Sequence, residues 1–149
     1  MKKLKNTRFG EIDYKDEDII VFENGIPGFE DEKEFIIIPM EKDGQLSVLQ
    51  SIKTPVLSFI IANPFVFFHD YEFEIDEQTK AELSIEKIEN VTVWGILTIS
   101  EDFQKSTINL KAPLIINLKS KKGKQLILDR QNYLTKTPLF PHLNKEGGK

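Results

Sequence analysis

Cysteine is absent from this chain of 149 residues, which excludes disulfide bridges and thiolate metal sites. Histidine is scarce: His69 and His142 are far apart in the sequence, and no cluster of histidines and carboxylates has the spacing of metal ligands. No apolar run approaches the ~20 residues that a membrane-spanning helix needs. The basic first residues are not followed by the hydrophobic region of a secretory signal. We therefore expect a cytoplasmic protein with no metal, no cofactor and no membrane association.

Catalytic motifs are missing as well. The chain contains no nucleophile elbow, no phosphate-binding loop and no dinucleotide fingerprint. His69 and Asp70 are adjacent, but neighbours on a strand point to opposite faces, so they are not expected to act as a base and its orienting carboxylate. Other carboxylates are plentiful, yet they work as acid and base only in a cleft. We predict no enzyme activity, and a β-barrel enzyme of unknown chemistry stays open as an alternative.

The composition that is present is typical of one globular domain, with 40% hydrophobic and 30% charged residues. We predict a single domain over residues 1–143 and a disordered tail over residues 144–149. The charge is uneven, because residues 1–89 carry 10 basic and 20 acidic side chains, whereas residues 90–149 carry 10 basic and 4 acidic ones. Such asymmetry either marks a partner surface or is neutralised when the two halves fold together.

Short runs of β-branched and aromatic residues, separated by turn signals, indicate an all-β fold: a small antiparallel β-barrel-like domain with one or two short helices. Asp76 is the predicted N-cap of a helix over residues 77–83. In FENGIPGFED (22–31), Asn-Gly and Pro-Gly predict consecutive tight turns, and we expect Ile26 and Phe29 to pack inward. The predicted strands cover residues 9–14, 18–23, 34–40, 45–52, 57–63, 65–74, 91–99, 107–119 and 125–129.

The predicted strand over 65–74 is rich in aromatic residues at odd positions, including Tyr71, and carries carboxylates at the even positions of its second half. If its second face is exposed, Phe68 forms an aromatic anchor with an acidic rim, which suits a basic, amphipathic partner. The alternative is that Phe68 is buried under a neighbouring loop or helix, since buried phenylalanine is common. The acidic rim consists of Asp70, Glu72 and Glu74.

The predicted strand over 107–119 has apolar residues at every even position and polar residues at most odd positions. This period of two predicts one buried face and one solvated face, with Asn109 and Lys111 on the solvated face. The basic run LKSKKGK (118–124) follows, and Gly123 within it favours a solvated hairpin turn. Because the chain has a net charge of −4 and its aromatic residues lie among carboxylates, we predict no direct nucleic-acid binding.

Four motifs, taken in order, resemble those of the FliW family of flagellar assembly factors. They are NGIPGFED (24–31), VLQS (48–51), NPFVFFHDYEFE (63–74) and TINLKAPLIINLKSKKGKQLIL (107–128). The resemblance extends over most of the chain. One departure is His69, which stands where many members of the family are expected to have proline. This difference bears on the local turn and leaves the family assignment unaffected.

The resemblance implies a barrel-like fold, no enzyme activity and two protein partners in the cytoplasm: flagellin, and CsrA, the RNA-binding regulator that represses flagellin translation. It also implies partner exchange, in which flagellin export releases the protein to capture CsrA. We hypothesise that an acidic rim with an apolar anchor binds CsrA and that the polar face around Asn109 and Lys111 contacts flagellin. A secretion chaperone for flagellin alone stays open, and the protein is expected to be monomeric. The acidic site comprises Phe68, Asp70, Tyr71, Glu72 and Glu74.

Overall fold

The protein is described by a computed structural model that covers residues 1–40, 45–129 and 131–140. The two α-helices of the described residues are α1 (Pro64–Phe67) and α2 (Glu77–Glu82). The strands are β1 (Lys2–Thr7), β2 (Gly10–Tyr14), β3 (Ile20–Val21), β4 (Glu34–Pro39), β5 (Leu46–Ser51), β6 (Ser58–Ala62), β7 (Val91–Thr98), β8 (Thr107–Ile108), β9 (Leu114–Asn117), β10 (Lys122–Gln125) and β11 (Thr137–Pro138). The predicted tail over residues 144–149 lies outside the described residues.

Seven strands close into a barrel, in the order β7, β6, β5, β4, β3, β10, β9 and back to β7. The neighbours in this ring are antiparallel except β3 and β10, which run parallel. The all-β, barrel-like fold is therefore confirmed. Strand β7 is long enough to pair with β9 through its first half and with β8 through its second half. Strand β11 pairs with β8 outside the ring, and β1 and β2 form a separate hairpin.

Two clusters of buried side chains fill the interior. One contains Phe22 and Phe35, whose rings meet edge to face with centroids 5.4 Å apart. The other contains Tyr71, Ile108 and Leu110, and it lies against the segment that follows α1. Because each fully buried aromatic or aliphatic side chain contributes about 1.5–3 kcal/mol, these clusters are the main source of the barrel's stability.

The predicted strand over residues 65–74 is wrong. Its first residues belong to α1, and the residues after Phe67 form no regular strand. The helix begins because the Asn63 side chain accepts a hydrogen bond from the Phe65 N–H at 2.9 Å and Pro64 occupies the first helical position. An asparagine cap followed by proline is a helix-start signal. The aromatic and β-branched content of the run hid that signal.

The predicted strand over residues 107–119 is two strands, β8 and β9, joined by a turn. The Asn109 side-chain oxygen accepts hydrogen bonds from the Lys111 N–H at 3.1 Å and the Ala112 N–H at 3.0 Å. The expected solvated face is also wrong near its end, because Asn117 is buried and donates to the Leu83 carbonyl at 2.9 Å. In the sequence, a buried asparagine that donates to a backbone carbonyl cannot be told apart from a solvated one, because both appear as a polar residue at an odd position.

The remaining predictions fare better. The strands predicted over 9–14, 18–23, 34–40, 45–52, 57–63 and 91–99 correspond to β2 to β7. Helix α2 is confirmed, and the Asp76 carboxylate accepts its capping hydrogen bond from the Thr79 N–H at 2.9 Å. The hairpin turn predicted in the basic run is confirmed between β9 and β10, although Gly123 lies on β10 rather than in the turn. The strand predicted over 125–129 is mostly wrong, because the observed strand β10 ends at Gln125 and residues 126–129 form no strand; β1 and β11 were not predicted.

The turn at residues 22–31 has the predicted backbone. Gly25 and Gly28 have φ of 67° and 89°, which L-residues rarely adopt. Ile26 is buried as predicted, whereas Phe29 is 42% exposed and only rests its ring edge to face on Phe59, with centroids 5.4 Å apart. One of the two apolar residues therefore anchors the turn in the core, and the other packs on the surface.

Glu32, which lies between this turn and β4, is hydrogen-bonded to the end of β5 and to the loop that follows it. The Ser51 and Thr54 hydroxyls donate to its carboxylate, and the first of these bonds is the main reason that the pKa of Glu32 is lowered. A folded-state pKa below the unfolded value of 4.5 means that this stabilisation is present above pH 4.5 and is lost as the pH falls through the folded pKa.

We therefore predict that Glu32→Gln lowers the free energy of unfolding at pH 7 by about 1 kcal/mol, the usual contribution of such hydrogen bonds. Urea denaturation of the wild type and the variant at pH 7 and at pH 3 measures the difference. Glu34→Gln, at the exposed start of β4, is the control and should change neither value. A difference that stays constant between the two pH values would contradict the role of the ionised carboxylate.

Candidate functional site

A wide groove of about 1450 Å³ crosses one side of the barrel. One wall is the irregular segment 71–77, which follows α1 and leads into α2, and the opposite wall is formed by residues 126–129 and 131, which follow β10. Its floor includes Val91 and Val93 of β7. We call this surface the acidic groove, and the residues that line it are Phe65, Tyr71, Glu72, Phe73, Glu74, Ile75, Asp76, Glu77, Lys80, Ile88, Val91, Val93, Leu126, Ile127, Leu128, Asp129 and Gln131.

The name reflects the charge of its walls. Among the described residues, five carboxylates line the groove together with one ammonium group, that of Lys80, which lies 3.4 Å from the Glu77 carboxylate. Between the carboxylates, apolar residues remain open to solvent, among them Ile88 with 63% and Ile127 with 53% of its surface exposed. An apolar floor with a carboxylate rim can bind a partner segment that carries both apolar and basic side chains.

Tyr71 fixes the wall at segment 71–77. Its hydroxyl donates to the Leu110 carbonyl at 2.7 Å, and its ring packs against Tyr133 with centroids 4.7 Å apart. Only 4% of the residue is exposed. Burial, and to a lesser degree Tyr133, raises the pKa of Tyr71, so its hydroxyl stays protonated and keeps donating.

The backbone of Glu72 supplies the second attachment of this wall. Its N–H donates to the Tyr133 hydroxyl at 3.0 Å, and its carbonyl accepts hydrogen bonds from the Tyr133 hydroxyl at 3.0 Å and the Gln131 side chain at 3.1 Å. These bonds tie segment 71–77 to the segment after β10. Because only backbone groups of Glu72 are used, its exposed carboxylate is left for the groove.

The predicted acidic site is therefore divided by the structure. Tyr71, Glu72 and Glu74 line the acidic groove together, whereas Phe68 and Asp70 are not among the lining residues. Phe68 is half-buried and packs against the buried cluster that contains Tyr71, in line with the alternative that it serves packing. Asp70 is exposed in a turn. The side-by-side arrangement of Phe68 and Asp70 depended on a strand that does not form.

The other predicted residues, Asn109 and Lys111, lie on a different surface. They belong to the turn between β8 and β9, and both are half-buried. The side chain of Asn109 holds this turn, and the Lys111 N–H donates to the Leu134 carbonyl at 3.2 Å. The structure thus places the two sets of predicted partner-binding residues on different surfaces.

Most of the acidic groove was not predicted from the sequence: only Tyr71, Glu72 and Glu74 of its lining residues were. The missed wall includes Ile127 and Asp129, which follow β10, and the missed floor includes Ile88. The only signal was the alternation in residues 126–128, where Leu126 and Leu128 are buried and Ile127 is exposed. That pattern fits any half-buried strand, so it could not indicate which distant segment would lie opposite.

Carboxylates and apolar side chains make up most of the groove. Within the described residues, no three histidine, aspartate or glutamate side chains are placed to hold a metal ion. In the same part of the chain, every helix is too short or too polar to cross a bilayer. Hydrogen bonding to Thr79 lowers the pKa of Asp76, which keeps this carboxylate ionised at the N-terminus of α2. The arrangement is suited to electrostatic and apolar recognition.

Comparisons with known proteins agree on one family. The sequence profile of the FliW protein family matches residues 3–139. The flagellar assembly factor FliW of Bacillus licheniformis is 48% identical over 136 residues, which cover 91% of this chain and 95% of that protein. FliW of Bacillus subtilis is 47% identical over 130 residues, or 87% of this chain and 91% of that protein. A crystal structure of a flagellar assembly factor FliW, at 39% identity, superimposes with a TM-score of 0.87 and covers 94% of this chain and 98% of that one.

Proposed function

This chain belongs to the FliW family of flagellar assembly factors, and from that premise we propose that it couples flagellin synthesis to flagellin export by exchanging two protein partners. One partner is flagellin. The other is CsrA, the RNA-binding regulator that represses flagellin translation. Both interactions take place in the cytoplasm, and neither requires catalysis by this protein.

The observation that carries the proposal is the acidic groove. A regulator that binds RNA must present basic side chains to phosphates, and a surface with the opposite charge attracts it and accelerates encounter. Glu72 and Glu74 are exposed on the rim, and the exposed Ile88 and Ile127 supply apolar contact area. We place CsrA in this groove because a basic segment with apolar side chains complements both features.

Partner exchange follows from mass action. When flagellin accumulates, it occupies this protein, and CsrA stays free to repress translation. When flagellin is exported, the released protein captures CsrA and relieves repression. The free concentration of each partner and its affinity then set the fraction of this protein bound to the other.

A competition titration tests the proposal. Labelled CsrA is bound to the purified protein, and flagellin monomers are added while fluorescence anisotropy reports the fraction of CsrA still bound. We expect flagellin to release CsrA in a saturable manner. Binding of flagellin without any binding of CsrA would reduce the function to that of a secretion chaperone, and binding of neither would overturn the proposal.

A further inference from the structure

The segments 103–111 and 134–140 run antiparallel to each other and form a two-stranded ribbon. The ribbon lies next to the second half of β7, which pairs with β8. Strands β8 and β11 pair at the centre of this ribbon. At one end, the Leu134 carbonyl accepts hydrogen bonds from the N–H groups of Leu110 and Lys111 at 3.1 and 3.2 Å. Backbone hydrogen bonds therefore fix the ribbon on the surface of the barrel.

The ribbon has one buried face and one open face. From Lys105 to Lys111, burial alternates from residue to residue, as it does in a strand that covers a core. The buried residues of this segment are Ser106, Ile108 and Leu110. The residues between and beside them, which are exposed or half-buried, are Lys105, Thr107, Asn109 and Lys111.

The open face is positively charged. The two segments contain three lysines, Lys105, Lys111 and Lys136, and no aspartate or glutamate. The exposed carboxylates of Glu101 and Asp102 come just before the first segment, next to Lys105, so the excess positive charge is centred on Lys111 and Lys136. Within the described part of the chain, none of these lysines takes part in an ion pair. We call this surface the basic ribbon. Its charge is opposite to that of the acidic groove, so the two surfaces select partners of different chemistry.

Apolar side chains accompany the lysines. Leu134 is 61% exposed beside Lys111, and Phe103 is 41% exposed at the other end of the ribbon. The Phe103 ring packs against Phe140, with centroids 5.5 Å apart. Exposed apolar side chains rimmed by polar or charged ones are typical of a protein-binding surface.

We propose that the basic ribbon is the surface that binds flagellin and that it takes an amphipathic segment of flagellin whose polar side is acidic. The identity of the partner rests on the proposed function, and the acidic, amphipathic character of the bound segment is inferred from the ribbon. The lysines pair with carboxylates of the segment, while Leu134 and Phe103 meet its apolar side. Flagellin and CsrA then bind on surfaces of opposite charge, and their exchange requires that occupation of one surface disfavours binding at the other. The Tyr71 hydroxyl of the groove wall donates to the Leu110 carbonyl of the ribbon, which joins the two surfaces directly.

The test is the double charge reversal Lys111→Glu and Lys136→Glu, measured by calorimetry with purified flagellin monomers and, separately, with CsrA. We expect flagellin affinity to fall at least tenfold, while CsrA affinity is unchanged. Raising the salt concentration should weaken flagellin binding to the wild type more than to the variant, because the variant lacks the attractive charges. A separate Leu134→Ser variant should also weaken flagellin binding and leave its salt dependence intact.

The control is Lys119→Glu with Lys121→Glu, which makes the same change in net charge in the hairpin turn between β9 and β10. It should bind flagellin as the wild type does. If the wild type binds flagellin and the ribbon variant binds it equally well, the placement of flagellin on the basic ribbon is overturned, and the proposed function is unaffected. If the wild type does not bind flagellin, the proposed function is overturned as well. If the ribbon variant instead changes the oligomeric state of the protein, or the amount of RNA that the protein retains on a filter, the ribbon binds a second copy or RNA. Either result would overturn the proposal.

Discussion

Replacing Glu72 and Glu74 by lysine is expected to weaken CsrA binding by tenfold to a hundredfold. Both side chains lie on the rim of the acidic groove, where a basic partner would meet like charge instead of opposite charge. A loss of this size corresponds to about 1.4–2.8 kcal/mol, which is in the range of close charge pairs at interfaces. Most of the change should appear in the association rate and disappear at high salt.

Two controls make this result specific. Asp31→Lys with Glu34→Lys changes the net charge equally at an exposed site before and at the start of β4, and it should leave CsrA affinity unchanged at moderate salt. Asp70→Lys should have a smaller effect than either groove substitution, because Asp70 does not line the groove. Equal losses in the groove variant and the Asp31 control would show that only net charge matters and would remove the groove as the CsrA site.

Gly25→Ala is expected to lower the free energy of unfolding by about 3 kcal/mol. Two effects add at this position. The backbone has φ of 67°, which costs an L-residue about 1–2 kcal/mol, and a Cβ would come 2.6 Å from the Glu30 carbonyl oxygen. Because the obstacle is backbone and not a mobile side chain, the turn itself must shift, at a further cost of about 1–3 kcal/mol.

Gly28→Ala separates the two effects. Gly28 has φ of 89°, but an added Cβ meets nothing within 4 Å. This variant should therefore lose only about 1 kcal/mol, from backbone strain. Urea denaturation of both variants compares the free energies of unfolding. In thermal denaturation, the melting temperature should fall by roughly 2–4 °C per kcal/mol lost. Similar losses at the two positions would mean that crowding against Glu30 is relieved without cost.

Much of the barrel could be predicted because its signals are local. Strands such as β4 and β5 combine β-branched residues with clear turn signals at their ends, and the Asp76 cap marks the start of α2. The errors occurred where local signals conflicted. In residues 65–74, a short cap-and-proline signal competed with a long aromatic run, and the helix occupies only four residues.

The candidate sites show the same division. The carboxylates of Glu72 and Glu74 and the polar pair Asn109 and Lys111 could be selected from the sequence, because charge and hydropathy patterns are written along the chain. The residues that share these two surfaces with them could not be selected from the sequence. Ile127 and Asp129 reach the acidic groove from the segment after β10, and Lys136 reaches the basic ribbon beside β11. Sequence patterns do not report such distant neighbours.

The sequence by itself determined the family, the β-rich composition, the glycine-dependent turns and the uneven distribution of charge. Only the tertiary structure decided which charged residues share a surface. Barrel closure brings segment 71–77 together with residues 126–129, 131 and 133 through the hydrogen bonds of Tyr133 and Gln131 to Glu72. It also places segments 103–111 and 134–140 side by side. Burial and hydrogen bonding select these pairings, because they depend on contacts between residues that are far apart along the chain.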